Sequence, residues 1–208
     1  MLAPGYERRI HHASALSREL VRHGYATLRF DLTNHVGMSE GEVRNFTLSS
    51  MIDDIASVLA ACGERFDGPL FLVAPSLAAR AAVRALADDD SLQRRLDAVV
   101  LVLPVVDTEF TLATAIGRNV LEDWRRGTVS AGTICRVLDH DVEYEFSRDA
   151  LEQQLHGLER TRAELSDLAV PVTAIAAERD DWVRVADVQH AMAGAAPAPR
   201  STIVLEAT

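Results

Sequence analysis

Cysteine is scarce: Cys62 and Cys135 are the only two in 208 residues. A chain so poor in cysteine is not a disulfide scaffold, and two thiols cannot supply a zinc-type ligand spacing. A reduced, cytoplasmic setting is the simplest reading. The opening residues MLAPGYERR hold no apolar stretch of signal-peptide length. The longest apolar run covers residues 98–106 and has Pro104 inside it, whereas a membrane helix needs roughly twenty residues. The expectation is a soluble protein without a membrane span. Basic charge is in deficit too, with 21 Lys+Arg against 31 Asp+Glu and a formal net charge of −10. That argues against non-specific binding to nucleic acid or to anionic membrane. A strongly acidic partner would need a local basic patch, which net charge cannot reveal. No metal-ligand cluster, phosphate-cradling glycine loop or dinucleotide fingerprint is visible.

What is present is ordinary globular material, 48% hydrophobic and 25% charged. The length suits one domain with a small appendage. Short β-type apolar runs at 25–30, 70–74, 98–103, 172–176 and 202–205 alternate with amphipathic stretches. Several are apolar without alternation, as strands covered on both faces are. Leu48, Met51, Ile52, Ile55, Leu59 and Cys62 share one helical face, with Thr47 as N-cap and Gly63 as stop. Ile10, Ala13, Ser17, Leu20 and Val21 mark an earlier helix ended by Gly24. Residues 77–87 are alanine-rich, so that helix can lie close to a sheet. Strands alternating with helices predict a mostly parallel, doubly wound α/β sheet. Residues 107–168 break the alternation, with helical pattern and no convincing strand. They read either as a helical cap over the strand ends or as ordinary packed helices. The expected division is 1–106 as the first part of the core, 107–168 as the cap, and 169–208 as the last part of the core.

The sharpest local feature is a strand running straight into a helix with Ser76 at the turn, in the segment LFLVAPSLAAR. That is the layout of a nucleophile elbow, with Ala74 and Ala78 in place of the glycines of G-x-S-x-G. Both positions must be small because strand and helix crowd there. Pro75 keeps Ala74 extended, and the Leu77 N–H at the helix start is a candidate oxyanion donor. The alternative is that Ser76 only caps the helix. A second feature is Glu178-Arg179-Asp180-Asp181-Trp182-Val183 after a late strand. An acid there fits the chain order serine, acid, histidine, and Asp180 is the better placed. Either aspartate could instead cap the following helix. The third is Ala3-Pro4-Gly5-Tyr6, either a plain turn or a loop giving a second oxyanion N–H from Tyr6.

The order APGYERRIHH, LRFDLTNHVGMSEG, VAPSLAARAA, RDDWV resembles the bacterial bioluminescence-type acyltransferases, which are α/β-hydrolases acting as myristoyl-acyl-carrier-protein thioesterases. The resemblance spans nearly the whole chain. His35–Gly37, the Asp-Asp-Trp-Val segment and the alanine elbow are distinctive, and Phe146-Ser147-Arg148-Asp149 is similar. The resemblance implies an α/β-hydrolase-like fold with a helical cap lining an acyl tunnel. It implies Ser76 as the acyl-accepting serine, Asp180 as the triad acid and Leu77 as an oxyanion donor. The implied substrate is a fatty acyl thioester of acyl carrier protein or coenzyme A, released to water or to an acyl-accepting partner enzyme. No cofactor or metal is needed. His35 is read as a loop residue.

The pattern is incomplete at both ends. Chain order requires a histidine after Asp180, and only His190 follows, inside a predicted helix. The family's histidine is expected just beyond Thr208. The loop starting at Ala3 should follow a central strand, of which Met1 and Leu2 alone remain. The expectation is a chain truncated at both ends and nearly inactive by itself, since losing the triad histidine costs about 10⁶-fold in turnover. A carboxylesterase-type serine hydrolase, or a catalytically inactive α/β-hydrolase fold used for binding, are the alternatives.

Overall fold

The computed structural model of the protein describes residues 1–206. A 3-10 turn, Ile10–Ala13, leads into α1 (Ser14–Arg22), and Gly24 stands after it at φ +87°. Then come α2 (Leu48–Arg65), β1 (Phe71–Pro75), α3 (Leu77–Asp88), α4 (Asp90–Gln93) and β2 (Ala98–Val102). The middle of the chain carries α5 (Thr108–Ile116), α6 (Val120–Arg125), β3 (Ile134–Val137), β4 (His140–Glu143), α7 (Glu145–Glu152) and α8 (Leu158–Asp167). It closes with β5 (Val172–Ala177), α9 (Val185–Met192) and β6 (Arg200–Leu205).

The main sheet has the order β1-β2-β5-β6, every pair parallel. Register aligns Leu72 with Val99 and Val172, and Ala74 with Leu101 and Ala174. These side chains are all buried, so one sheet face forms the core. The other face is only partly covered: Val73, Val100 and Ile175 are half-buried and Ile203 is exposed. Helix α1 is tied to the run at 25–30, Ser17 Oγ lying 2.6 Å from Thr27 Oγ1 and Ser14 Oγ accepting from Arg29 Nη1 at 2.7 Å.

The run at 25–30 does not form a strand. It is reduced to one parallel bridge between Arg29 and Leu2, with Tyr25 and Ala26 exposed. Leu2 bridges Val73 on its other side, the Ala3 N–H donates to the Val73 carbonyl at 2.9 Å, and Val73 N–H donates to Met1 O at 2.9 Å. Residues 1–3 thus occupy the strand position between 28–29 and β1. Only Leu2 bridges this run, and the rest of its backbone has no ladder partner among the described residues.

The predicted α2 face is buried through Leu48, Met51, Ile55, Leu59 and Cys62. Thr47 caps it, accepting the Ser50 N–H at 3.1 Å while Ser50 Oγ returns to the Thr47 backbone. Gly63 does not stop the helix, which runs on to Arg65. The reason is tertiary: Arg95 lies against Gly63 and donates to the carbonyls of Gly63 and Phe66 at 3.0 and 2.8 Å. Helix α3 is buried along nearly its whole length, its alanines letting it approach β1, α2 and α8. Its Arg80 is fully buried and pairs with Glu164 of α8 at 2.5 Å.

Residues 107–168 contain one structure the sequence pattern did not predict, the antiparallel hairpin β3-β4. Its strands have four residues each, mostly polar or exposed, and Leu138 takes the positive φ at the turn where glycine would signal a hairpin. Below it, α7 is tied to α2: Asp149 accepts from the Ser49 N–H and Oγ at 2.9 and 2.5 Å, and Phe146 stacks on Phe46. Among the described residues no helix is long and apolar enough to cross a membrane.

Candidate active site

Ser76 stands between β1 and α3 with φ +50° and ψ −126°. This conformation is costly for a residue with a Cβ and persists where surrounding structure over-determines it. Two bonds do so: Ser76 N–H donates to Val102 O at 2.9 Å, and Val105 N–H donates to Ser76 O at 3.2 Å. Ala74 and Ala78 on either side are wholly buried, as the crowding requires. The Ser76 side chain makes no capping hydrogen bond to α3, so its hydroxyl is not spent as a helix cap.

Two cavities meet at Ser76. A pocket, about 490 Å³ with its open part, is almost wholly apolar and is lined by Tyr6, Ser76, Leu77, Leu112, Val142 and Phe146 among others. Its roof comes from α5, the hairpin and α7. A wider cleft, about 1600 Å³ with its open part, brings Ser76, Tyr6 and Asp180 together with Arg8, Arg9 and Trp182. Among the described residues neither the Leu77 nor the Tyr6 backbone N–H donates to any group of the chain. Leu77 is the first residue of α3, so its free N–H adds the positive end of the helix. The Tyr6 hydroxyl is buried without a partner among the described residues, and burial first, then the Glu7 carboxylate, raises its pKa.

Asp180 lies just beyond β5. Its Oδ1 accepts from the N–H groups of Trp182 and Val183 at 2.8 and 3.1 Å, while Oδ2 has no partner among the described residues. The side chain braces its own turn and does not cap α9, which begins at Val185. Asp181 is exposed. The loop is tied to α5: Thr111 Oγ1 donates to Trp182 O at 2.8 Å, and the Arg184 guanidinium lies 3.9 Å over the Phe110 ring.

Among the described residues no histidine joins Ser76 and Asp180 in the usual arrangement. His190 is exposed on α9, bonds to Glu159 at 2.7 Å, and lines neither cavity. His12 does line the cleft, but its Nδ1 accepts the Arg9 N–H at 2.9 Å, which engages the ring's lone pair. The position expected just beyond Thr208 lies outside the described residues. His35 is buried and its Nε2 accepts the Glu7 N–H at 3.1 Å. Burial, then His140, pushes its pKa down to about 4, so it is neutral. Among the described residues no group of three metal-ligating side chains is present.

The sequence pattern gave no sign of Glu7. Its φ is +61°, and its Oε1 accepts the Asp139 N–H of the hairpin turn at 2.8 Å. Only the fold brings residues so far apart in the chain together.

Comparison with known proteins gives a family and a fold. A family model described as "Acyl transferase" matches residues 1–199. The chain is 29% identical over 194 residues to an acyl transferase of Photobacterium leiognathi, covering 91% of this chain and 58% of that protein. It is 28% identical over 200 residues to an acyl transferase of Shewanella hanedai, covering 92% and 60%. The chain thus spans about 60% of the length of these curated relatives. Among solved structures, a monoacylglycerol lipase of Paleococcus ferrophilus superposes with TM-score 0.74 at 14% identity, covering 99% of this chain and 82% of that one. Est1E of Butyrivibrio proteoclasticus, with ferulic acid bound, gives 0.76 at 16% identity, covering 98% and 78%. At such identities the likeness is one of fold, and the fold is that of the α/β-hydrolases.

Proposed function

This chain belongs to the acyl transferase family, and from that premise we propose that it carries the serine half of an acyl-transfer site acting on fatty acyl thioesters. Ser76 Oγ attacks the thioester carbonyl. The carbonyl oxygen takes the developing charge and accepts hydrogen bonds donated by the Leu77 and Tyr6 N–H groups. The C–S bond breaks, the sulfur leaves as a thiol carrying the proton that a base takes from Ser76 Oγ, and the acyl group rests on Ser76 as an ester. Water or an acyl-accepting partner enzyme then attacks that ester and frees Ser76. The acyl chain lies in the apolar pocket, roofed by residues 107–168 as a cap on a core made of 1–106 and 169–208.

One observation carries the reading: Ser76 is held at φ +50° with its hydroxyl free of capping, at the wall of an apolar pocket. The carrier of the thioester is acyl carrier protein or coenzyme A. Support comes from Arg8 and Arg9, which line the cleft and form no ion pair among the described residues, a local positive patch on a chain of net charge −10. Asp180 is the acid of the site, and among the described residues no histidine stands against it. With His12 and His190 engaged elsewhere, residues 1–208 alone turn over negligibly, because unassisted serine is a weak nucleophile.

The test compares single-turnover acylation by a fatty acyl-coenzyme A with acylation by a phenyl ester of the same acyl length, whose leaving group is close in acidity to the coenzyme A thiol, in imidazole buffer. The proposal expects the thioester to react faster and Ser76→Ala to abolish both. Faster reaction of the oxygen ester assigns the site to a carboxylesterase. No Ser76-dependent reaction with either assigns the fold to a non-catalytic role.

A further inference from the structure

Glu7 is held from two sides. Its backbone lies at φ +61°, where a side chain is uncomfortable. From the core, His35 Nε2 accepts its N–H at 3.1 Å. From the hairpin, the Asp139 N–H donates to its carboxylate at 2.8 Å, and His140 Nε2 stands 3.8 Å from the same oxygen. His35 is itself fixed: it is 4% exposed and packs edge-on against Tyr6 and Phe46. Its loop is pinned by Asp31, which accepts the N–H groups of Ile10 and Met38 at 2.7 and 3.1 Å. Gly37, at φ +136°, leaves the space that Asp31 fills; a Cβ there would stand 2.5 Å from the Asp31 carboxyl carbon.

We propose that His35 is a positioning residue for the acyl-transfer step: its Nε2 holds the Tyr6–Glu7 peptide in place and so sets the loop that presents the Tyr6 N–H. This rests on the reading of Tyr6 as an oxyanion donor. The role needs a neutral acceptor at one reach from the His35 backbone. A carboxylate there would bring a buried charge. Glutamine places Oε1 the same number of bonds from Cα as histidine places Nε2, whereas asparagine falls one bond short. Imidazole serves when its proton is on Nδ1 and its lone pair on Nε2. The groups around it are the Glu7 N–H, the Tyr6 ring, His140 and Asp31, and its Nδ1 is buried without a partner among the described residues.

The experiment compares His35→Gln, His35→Asn and His35→Leu in the 208-residue chain. One readout is Ser76 acylation by a fatty acyl-coenzyme A in imidazole buffer, resolved into rate constant and half-saturation. The other is hydrogen exchange of the Glu7 amide by NMR. His35→Gln is expected to keep the rate constant within about threefold and the Glu7 amide protected. His35→Asn and His35→Leu are expected to lower the rate constant by about tenfold to a hundredfold at unchanged half-saturation, below or at the loss on removing one oxyanion donor. They should also speed Glu7 exchange about tenfold or more. A merely structural role would lower Tm without separating Gln from Asn. A Leu variant acylated as fast as the unsubstituted chain, or a Gln variant as slow as Leu, overturns the proposal. If the unsubstituted chain is not acylated at Ser76, the acyl-transfer reading fails, and Glu7 exchange alone judges His35. Exchange unchanged in His35→Leu then overturns the hold on the Tyr6–Glu7 peptide as well, and exchange accelerated in Leu but not in Gln upholds that hold while overturning its part in acyl transfer.

Discussion

Glu7 accepts the Asp139 N–H at 2.8 Å across 132 positions of the chain. One carboxylate thus joins the loop that carries Tyr6 to the turn that roofs the apolar pocket. A hydrogen bond to a charged acceptor contributes roughly 1.5–3 kcal/mol, and the hairpin's own strands are short. Glu7→Ala should therefore loosen the hairpin locally. The exposed Arg136 in β3 is a ready trypsin site, and its cleavage should quicken about tenfold relative to cleavage at Arg22. An unchanged ratio would mean the hairpin is held by its packing alone.

The Ser76 backbone gives a prediction of sign. In ordinary surroundings alanine is more stabilising than glycine, because glycine loses more freedom on folding. At φ +50° and ψ −126° the order should reverse. Ser76→Gly should be more stable than Ser76→Ala by about 1 kcal/mol in urea titration. A more stable alanine variant would show that the turn carries no strain.

Much of this was legible beforehand, for physical reasons that differ by residue. The strands ending at Pro75 and Val102 are apolar runs that no other element explains, and the elbow at Ser76 follows from a strand abutting an alanine-rich helix. The hairpin was not legible, because a half-exposed pair of four-residue strands has no apolar signature and Leu138 hides its turn. Gly63 misled because its helix is continued by Arg95, a contact from thirty-odd residues away. Asp180 was legible as an acid after a strand, but its bracing of the Trp182–Val183 turn was not. The ties of Glu7 to His35 and Asp139 are tertiary and leave no local trace.

Arg8 and Arg9 separate a charged carrier from a bare acyl chain. Both are exposed in the cleft and without ion pairs among the described residues. The double substitution Arg8→Ser, Arg9→Ser should raise the half-saturation concentration for a fatty acyl-coenzyme A about three- to tenfold. It should leave that for an uncharged p-nitrophenyl ester unchanged, and the difference should shrink in high salt. Equal effects on both substrates would remove the patch from carrier recognition.

His35 should leave a mark on the pH dependence of stability. Burial lowers its pKa from 6.5 to about 4, so between these values the unfolded chain binds the proton and the folded chain does not. Stability then rises with pH across that window. The contribution is complete above about pH 6.5 and is lost as pH falls toward 4, on the order of 3 kcal/mol in all. Urea unfolding from pH 4 to 7 should show this slope, and His35→Gln should flatten it. An equal slope in the Gln variant would assign the dependence to other groups.

The central claim is that Ser76 receives the acyl group, and peptide mapping by mass spectrometry tests it most directly. The chain is incubated with a fatty acyl-coenzyme A, with and without about 0.1 M imidazole as an external base. One acyl adduct is expected on the peptide containing Ser76, about tenfold more of it with imidazole, and none in Ser76→Ala. An adduct that persists in Ser76→Ala, or no adduct at any imidazole concentration, would contradict it.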